Sequence, residues 1–495
     1  MAEHDLADPE LYLNRELSEL EFQRRVLFEA EDDRDPVLER VTSLRYFAKN
    51  TDEFFMKRIG GLKLELAAGA NQPTVDGMTP EEQWHACLDR FREMQTHAYD
   101  VWADSLHPRL EEAGFRLRAC HEVPRRAREQ LRGALERDVL PLLTPLSYDP
   151  AHPFPRISSL SVSVAVLITG ESGAPPTFTR IKVPPSLDPF MRAHDGDGEL
   201  YVPIVDIICE NLDLILPGRK IESVSLFRVT RSAEVKLNEE VAEDLVEHVE
   251  DVLEKRRTAP AVRLELSPRT PTRVAELLRD QLGLQDEELF RHPEPMTARD
   301  LQFLVRRDGS QHSYPAWTPQ PHPRLGESER DIFETIRRGD LLIHHPYHSF
   351  EETTQAFLDA AARDERVRAI KIAIYRTAND SKVIRSLVEA AERGKQVAAI
   401  VELKARLDER RNVEWVRRLE REGIHVAYGM IKRKTHTKLA LVVREEEEGL
   451  RFYSHVGTGN YHSGTAKAYV DLGLLTADQD VGHDVMRVFN IFTGP

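Results

Sequence analysis

The sequence predicts a multidomain α+β and α/β protein. It divides into an N-terminal helical bundle at residues 1–105, a middle α+β domain at 106–318 and a C-terminal α/β domain at 319–495. Three observations carry this. Apolar residues recur at helical spacing through the first hundred positions, an alternating strand opens a mixed region near Leu160, and from Arg368 onward strands and helices take turns. A chain of 495 residues is also longer than one hydrophobic core organises.

In the first region Ser18 and Glu21 have the spacing of a capping box, so a helix is expected to open there and bury Leu20, Val26 and Leu27. Leu38, Val41, Leu44 and Phe47 then fall on every third residue, as on one face of a second helix. Asn50 and Asp52 suit the end of that helix and the cap of the next. Pro73 to Pro80 reads as a loop, and Glu81 to about Trp102 as the helix completing the bundle.

In the middle region Leu160, Val162, Val164, Val166 and Ile168 alternate with mostly small polar residues, which predicts a strand with one buried face. Glu239 to Arg256 carries Val241, Leu245, Val249, Val252 and Leu253 on one side, an amphipathic helix. Val262, Leu264 and Leu266 mark another strand. Pro319, Pro321 and Pro323, alternating with Gln320 and His322, form the clearest linker.

Beyond the linker, His344, His345 and His348 invite a metal reading. Adjacent residues of an extended segment point to opposite faces, however, and Pro346 breaks any helix, so a shared zinc site is not expected. Arg368–Tyr375, Gln396–Glu402 and Ile424–Tyr428 read as strands. One intervening helix is capped by Asp380 or Ser381 and ends near Gly394; the other is capped by Asn412 and ends at Gly423. Strands separated by single helices imply a largely parallel sheet that collects ligands at its carboxyl ends. Arg376 and Arg406 stand there, and two planar guanidinium groups at one sheet edge suit a phosphate clamp.

The most informative stretch follows. From Thr437 onward Leu439, Leu441 and Val443 alternate with smaller residues, so His436 and Lys438 share one face of a strand. A turn at Arg444–Gly449 leads to a second strand, Arg451–Val456, which delivers Gly457-Thr458-Gly459-Asn460 nearby. Small residues there let backbone N–H groups approach an anion.

Composition sets limits. Hydrophobic content of 41% and charged content of 31%, with no run as apolar as a membrane span and no signal-peptide core, suggest a cytoplasmic protein without an integral membrane segment; peripheral association is left open. A formal charge of −16 argues against general nucleic-acid binding, so a polyanionic substrate must meet a local basic channel. Cys87, Cys120 and Cys209 lack metal-pair spacing and are expected to be reduced.

His-x-Lys with a following Gly-x-x-Asn loop resembles the phosphate-handling half-site of phospholipase D-like folds, in which histidine attacks phosphorus. Leu403-Lys404-Ala405-Arg406-Leu407-Asp408-Glu409, Gly457-Thr458-Gly459-Asn460-Tyr461 and Thr465-Ala466-Lys467-Ala468-Tyr469-Val470-Asp471 further resemble polyphosphate kinase of the first type. So do Asn14-Arg15-Glu16-Leu17-Ser18, the segment Asn50 to Phe55, and Thr144 to Pro155, and the likeness covers nearly the whole chain. The resemblance implies reversible transfer of the ATP γ-phosphate to inorganic polyphosphate through a phosphohistidine on His436, with Lys438, Arg376 and Arg406 neutralising phosphate charge. It implies Mg2+ at the arginine site, nucleotide contacts from Asn50 and Tyr469, a phosphate loop at Gly457, Gly459 and Asn460, and a homo-oligomer. Lys432, Arg433 and Lys434 would be a basic wall for the polymer or a solvated turn.

The family carries a second phospholipase D-like domain that is expected to begin where this sequence stops, at Gly494-Pro495. That leaves two alternatives beside catalysis. One is a polyphosphate-binding fragment without activity. The other is a phosphodiesterase of the phospholipase D class, although no aspartate occurs between Lys438 and Glu445, where that class usually has one.

Overall fold

The computed structural model describes residues 5–148, 154–170, 175–196, 198–234, 254–292, 298–305, 311–325, 331–375, 382–402, 409–428 and 435–494. The chain falls into two compact units, Met1–Lys236 with Arg256–Pro315 and Leu237–Lys255 with Ala316–Pro495.

The first unit opens with helices α1 (Arg15–Glu31), α2 (Val37–Phe54), α3 (Gly60–Ala67) and α4 (Pro80–Asp100). The start of α1 corrects the expectation at Ser18. Asn14 is the cap, its side chain accepting from the N–H groups of Glu16 and Leu17, and Ser18 lies inside the first turns. Nor do Asn50 and Asp52 separate two helices. Helical backbone runs on from α2 through a π-helical turn at Phe55–Ile59 into α3, because Asp52 is engaged by arginines elsewhere and not by the local backbone. Leu20 and Leu27 of α1, Val41, Leu44 and Phe47 of α2, and Trp84, Leu88 and Phe91 of α4 share one core.

That core continues into Val262 and Phe290 of a six-stranded sheet. Its strands are β2 (Pro145–Tyr148), β3 (Val162–Ile168), β4 (Thr177–Lys182), β7 (Ile221–Arg231), β8 (Ala261–Leu266) and β9 (Leu289–Arg291), in the order β2-β4-β3-β7-β8-β9. A smaller sheet holds β1 (Arg116–Leu117), β5 (Phe190–His194) and β6 (Glu199–Pro203). The strand expected at Leu160–Ile168 is β3, but both its faces are buried. Val164 and Val166 pack with Ala127 and Leu131 of the helix Arg125–Ala134, while Ala165 and Leu167 pack with Leu278 of the helix Thr272–Leu282. An internal strand covered on both sides cannot show its burial through alternation alone. Most of the helix expected at Glu239–Arg256 lies outside the described residues.

In the second unit a seven-stranded sheet has the order β10-β16-β15-β14-β11-β12-β13. These are β10 (Leu341–His345), β11 (Val367–Ile374), β12 (Gln396–Val401), β13 (His425–Tyr428), β14 (Leu439–Glu446), β15 (Gly449–Gly457) and β16 (Asp471–Thr476). The sheet is mixed and not largely parallel. Parallel pairing is confined to β11-β12-β13, and the remaining four pairings are antiparallel. The hairpin of β14 and β15 inserts beside β11 and reverses direction there, which a succession of strands and helices in sequence does not reveal. The linker expected at Pro319–Pro323 is tied to this unit: Gln320 N–H donates to Tyr347 O and Gln320 O accepts from Ser349 N–H, both at 2.8 Å.

Helices α5 (Lys382–Glu392) and α6 (Glu409–Arg421) cover one face of the sheet, and α7 (Gln479–Thr493) covers the other through Val485 and Phe489 on Ala373, Ile400 and Leu441. Asp380 and Ser381 lie outside the described residues. Asn412 is not the cap of α6, since the helix has already begun at Glu409. Its buried amide donates instead to Tyr375 O at 3.1 Å and Glu402 O at 2.7 Å, which clamps together the ends of β11 and β12.

Candidate active site

The strand expected to carry His436 and Lys438 begins only after them: the first residue of β14 is Leu439, and both lie on the segment leading into it. β14 is antiparallel to β11, and this entry segment meets the carboxyl end of β11 at Tyr375. The His436 ring lies edge-on to the Tyr375 ring with centroids 5.1 Å apart. Lys438 Nζ stands 5.1 Å from the same ring centroid and donates to His436 O at 2.6 Å. One aromatic ring therefore meets both the imidazole and the ammonium. Their surroundings differ. His436 is exposed, whereas Lys438 is buried, and burial pushes its ammonium below the usual lysine value while Asp471 draws it back up.

The glycine loop is bound to this segment directly. Gly457 N–H donates to Lys438 O at 2.9 Å. Thr458 Oγ1 donates to Asp471 Oδ1 at 2.7 Å, and Thr458 N–H reaches Leu472 O at 2.9 Å, which fastens the loop to β16. At Gly459 a β-carbon would stand 2.8 Å from the Asp471 carboxyl carbon, so glycine is needed there for close approach. Among the described residues, buried Asn460 Oδ1 has no hydrogen-bond partner.

Behind the loop, His455 is fully buried and its Nδ1 pairs with the Tyr461 hydroxyl at 2.7 Å. Burial pushes this imidazole down to about 3, helped by nearby His345, so it is neutral at ordinary pH. On the other side, Glu402 Oε2 accepts from Thr435 N–H at 2.7 Å and anchors the approach to His436. Sequence reading assigned no role to Tyr375, Asp471, His455 or Glu402. Tyr375 ended an expected strand and Asp471 lay within a quoted motif, but the contacts that matter span long stretches of chain and have no local spacing.

Arg376, Arg406 and the Lys432–Lys434 stretch lie outside the described residues. Tyr469 belongs to the second unit and is 64% exposed. Asn50 belongs to the first, on α2, where its Nδ2 donates to Gln23 Oε1 at 2.9 Å. A cavity of about 1170 Å3 also lies in the first unit, between residues such as Trp102, Lys182 and Asp300, and none of the candidate residues lines it. Among the described residues no cluster of three or more His, Cys, Asp or Glu side chains could hold a metal, including the three histidines around Pro346. No helix among them is long and apolar enough to cross a membrane.

Fold and site define a multidomain α+β protein whose last domain sets a His-x-Lys pair against a glycine loop at one end of a mixed sheet. Family comparison matches the polyphosphate kinase N-terminal domain at residues 12–118, the middle domain at 126–304 and C-terminal domain 1 at 331–495. The chain belongs to the polyphosphate kinase family. It is 42% identical over 487 residues to a polyphosphate kinase of Streptomyces coelicolor, covering 98% of this chain and 65% of the relative. To that of Synechocystis it is 39% identical over 515 residues, covering 99% and 71%. The crystal structure of polyphosphate kinase from Porphyromonas gingivalis superposes with a TM-score of 0.79 at 28% identity, covering 97% of this chain and 69% of that one. The chain thus spans roughly two thirds of the length of its relatives, from 65% to 71% in these three.

Proposed function

We propose that this chain carries the phosphoryl-accepting half of an ATP:polyphosphate phosphotransferase, with His436 as the nucleophile. The observation that carries the reading is the meeting of an exposed imidazole and a buried ammonium at the Tyr375 ring, with the glycine loop hydrogen-bonded to the same segment. An imidazole nitrogen lone pair attacks the γ-phosphorus, the bond to the β,γ-bridging oxygen breaks, and ADP leaves. In the second step a terminal oxygen of polyphosphate attacks the same phosphorus, the nitrogen–phosphorus bond breaks, and the imidazole is regenerated. Each step is reversible.

Lys438 supplies positive charge beside the transferring group, and its partly dry setting makes that charge more effective than it would be in water. Arg376 and Arg406 are the further phosphate ligands in this reading, and Asn50 and Tyr469 the nucleotide contacts. Gly457 and Gly459 let the loop backbone come close to phosphate oxygens, and Asn460 shapes the loop. Mg2+ is the proposed metal, an ion held largely by phosphate oxygens and water. It would neutralise phosphate charge when bound. ATP, ADP and polyphosphate are the proposed substrates, and self-association the proposed assembly.

The test is incubation of the chain with Mg2+ and γ-labelled ATP, followed by analysis for acid-labile, alkali-stable label. The expected result is label on the wild-type chain and none on His436→Ala. Absence of label on the wild type, or its persistence on the variant, would overturn the phosphohistidine mechanism for this chain.

A further inference from the structure

Asp52 follows Asn50 by two residues on α2, and two helical steps turn a side chain by about 200°, to nearly the opposite side of the helix. Asn50 is half-buried and bonds to Gln23 on α1. Asp52 is 3% exposed and faces the six-stranded sheet. Its Oδ1 accepts from Arg263 Nη2, its Oδ2 accepts from Arg228 Nη2, and Arg299 Nη1 approaches Oδ2 at 3.3 Å.

Arg228 on β7 and Arg263 on β8 are each 2% exposed, and both also reach Glu265 Oε2, at 2.6 and 3.4 Å. The Arg263 guanidinium lies 4.4 Å from the Phe55 ring centroid, at the start of the π-helical turn. Apolar contacts hold a helix against a sheet but let it rotate or slide by small amounts. A carboxylate gripped on both oxygens by planar, buried donors allows neither, since any displacement leaves charge unpaired in a dry interior.

We propose that Asp52, held by Arg228 and Arg263, is a positioning residue that fixes the rotation of α2 so that Asn50 presents its amide to the nucleotide. This inference rests on the nucleotide-contact reading of Asn50. Asp52 itself touches no substrate.

The experiment measures MgATP affinity of the full chain by calorimetry, alongside melting temperature, for wild type, Asn50→Ala, Asp52→Asn and their double variant. The control is Glu288→Gln. Glu288 is fully buried and pairs at 2.7 Å with Lys63 on α3, so its loss also breaks an ion pair, here between a helix and the 3-10 turn before β9, but beyond the π-helical turn. Asp52→Asn is expected to weaken ATP binding by about tenfold, as small misplacements of contact groups do. The double variant should be no weaker than Asn50→Ala, and Glu288→Gln should lower the melting temperature with affinity unchanged.

Wild-type affinity in Asp52→Asn overturns the inference while leaving Asn50 as a contact. An equal loss in Glu288→Gln also overturns it, by assigning the effect to general loosening. Wild-type affinity in Asn50→Ala overturns the nucleotide reading and the inference with it. If Asp52→Asn does not fold, Arg299→Gln removes the outermost of the three guanidinium partners; a smaller loss in the same direction supports the inference, and none overturns it.

Discussion

A methyl group at Gly459 would press on the Asp471 carboxyl group, which already accepts the Thr458 hydroxyl. Gly459→Ala is therefore expected to displace the loop at a cost of about 1–3 kcal/mol, the range for overpacking, and to weaken polyphosphate binding. Denaturant melts and a binding titration check this; unchanged affinity would show that the loop does not meet the polymer. His455 gives a pH prediction. Its imidazole has an ordinary value of 6.5 and about 3 in the fold, so unfolding takes up a proton throughout that interval. Its contribution is complete above pH 6.5 and is lost as pH falls, by up to about 1.4 kcal/mol per unit. His345, also pushed down by burial, acts in the same direction. Carboxylates held low, such as Glu446, are ionised in both states between pH 5.5 and 7.5 and add no slope there. Urea melts at these two pH values should show lower stability at 5.5, and His455→Gln should show a flatter dependence.

Among elements, the carboxyl ends of β11 and β12 are joined by the side chain of Asn412. Asn412→Ala leaves the carbonyls of Tyr375 and Glu402 without this donor, at an expected cost of about 1–3 kcal/mol. The Tyr375 ring should then loosen against His436 and Lys438. A fall in melting temperature together with a lower rate of histidine labelling is the expected pair of results; a stability loss with labelling intact would separate the clamp from the site. Helix α7 offers a purely structural comparison on the opposite face. A β-carbon at Gly482 would overlap the Phe452 side chain, so Gly482→Ala should destabilise the second unit without changing ATP affinity.

For the whole molecule, a net charge of −16 opposes any polyanion, so binding must depend on a few local cations against a repulsive background. Polyphosphate affinity should fall by about tenfold between 50 and 200 mM salt if only a few phosphates are contacted, and a flat salt dependence would argue against a charged site. How much of this was legible in the sequence varied with the range of the interaction. Local periodicity placed β11, β12, β13 and the β14–β15 hairpin, but it carried the first strand of that hairpin back over His436 and Lys438, which precede it. Non-local partners were not legible. Asp52 and Asn412 were read as helix caps because that is their common local use, whereas their actual partners lie on distant strands. The burial of β3 on two faces and the antiparallel insertion of β14 were hidden for the same reason.

Gly457 and Gly473 leave room for one imidazole: a β-carbon at either position would stand 2.8 Å from an atom of the His455 ring. The three residues lie on adjoining strands, with Gly457 opposite Gly473 in the register. The imidazole occupies the space that side chains at these two positions would take. Across divergent lineages these positions should change as a set, a larger residue at either glycine appearing only where the histidine has given way to something smaller.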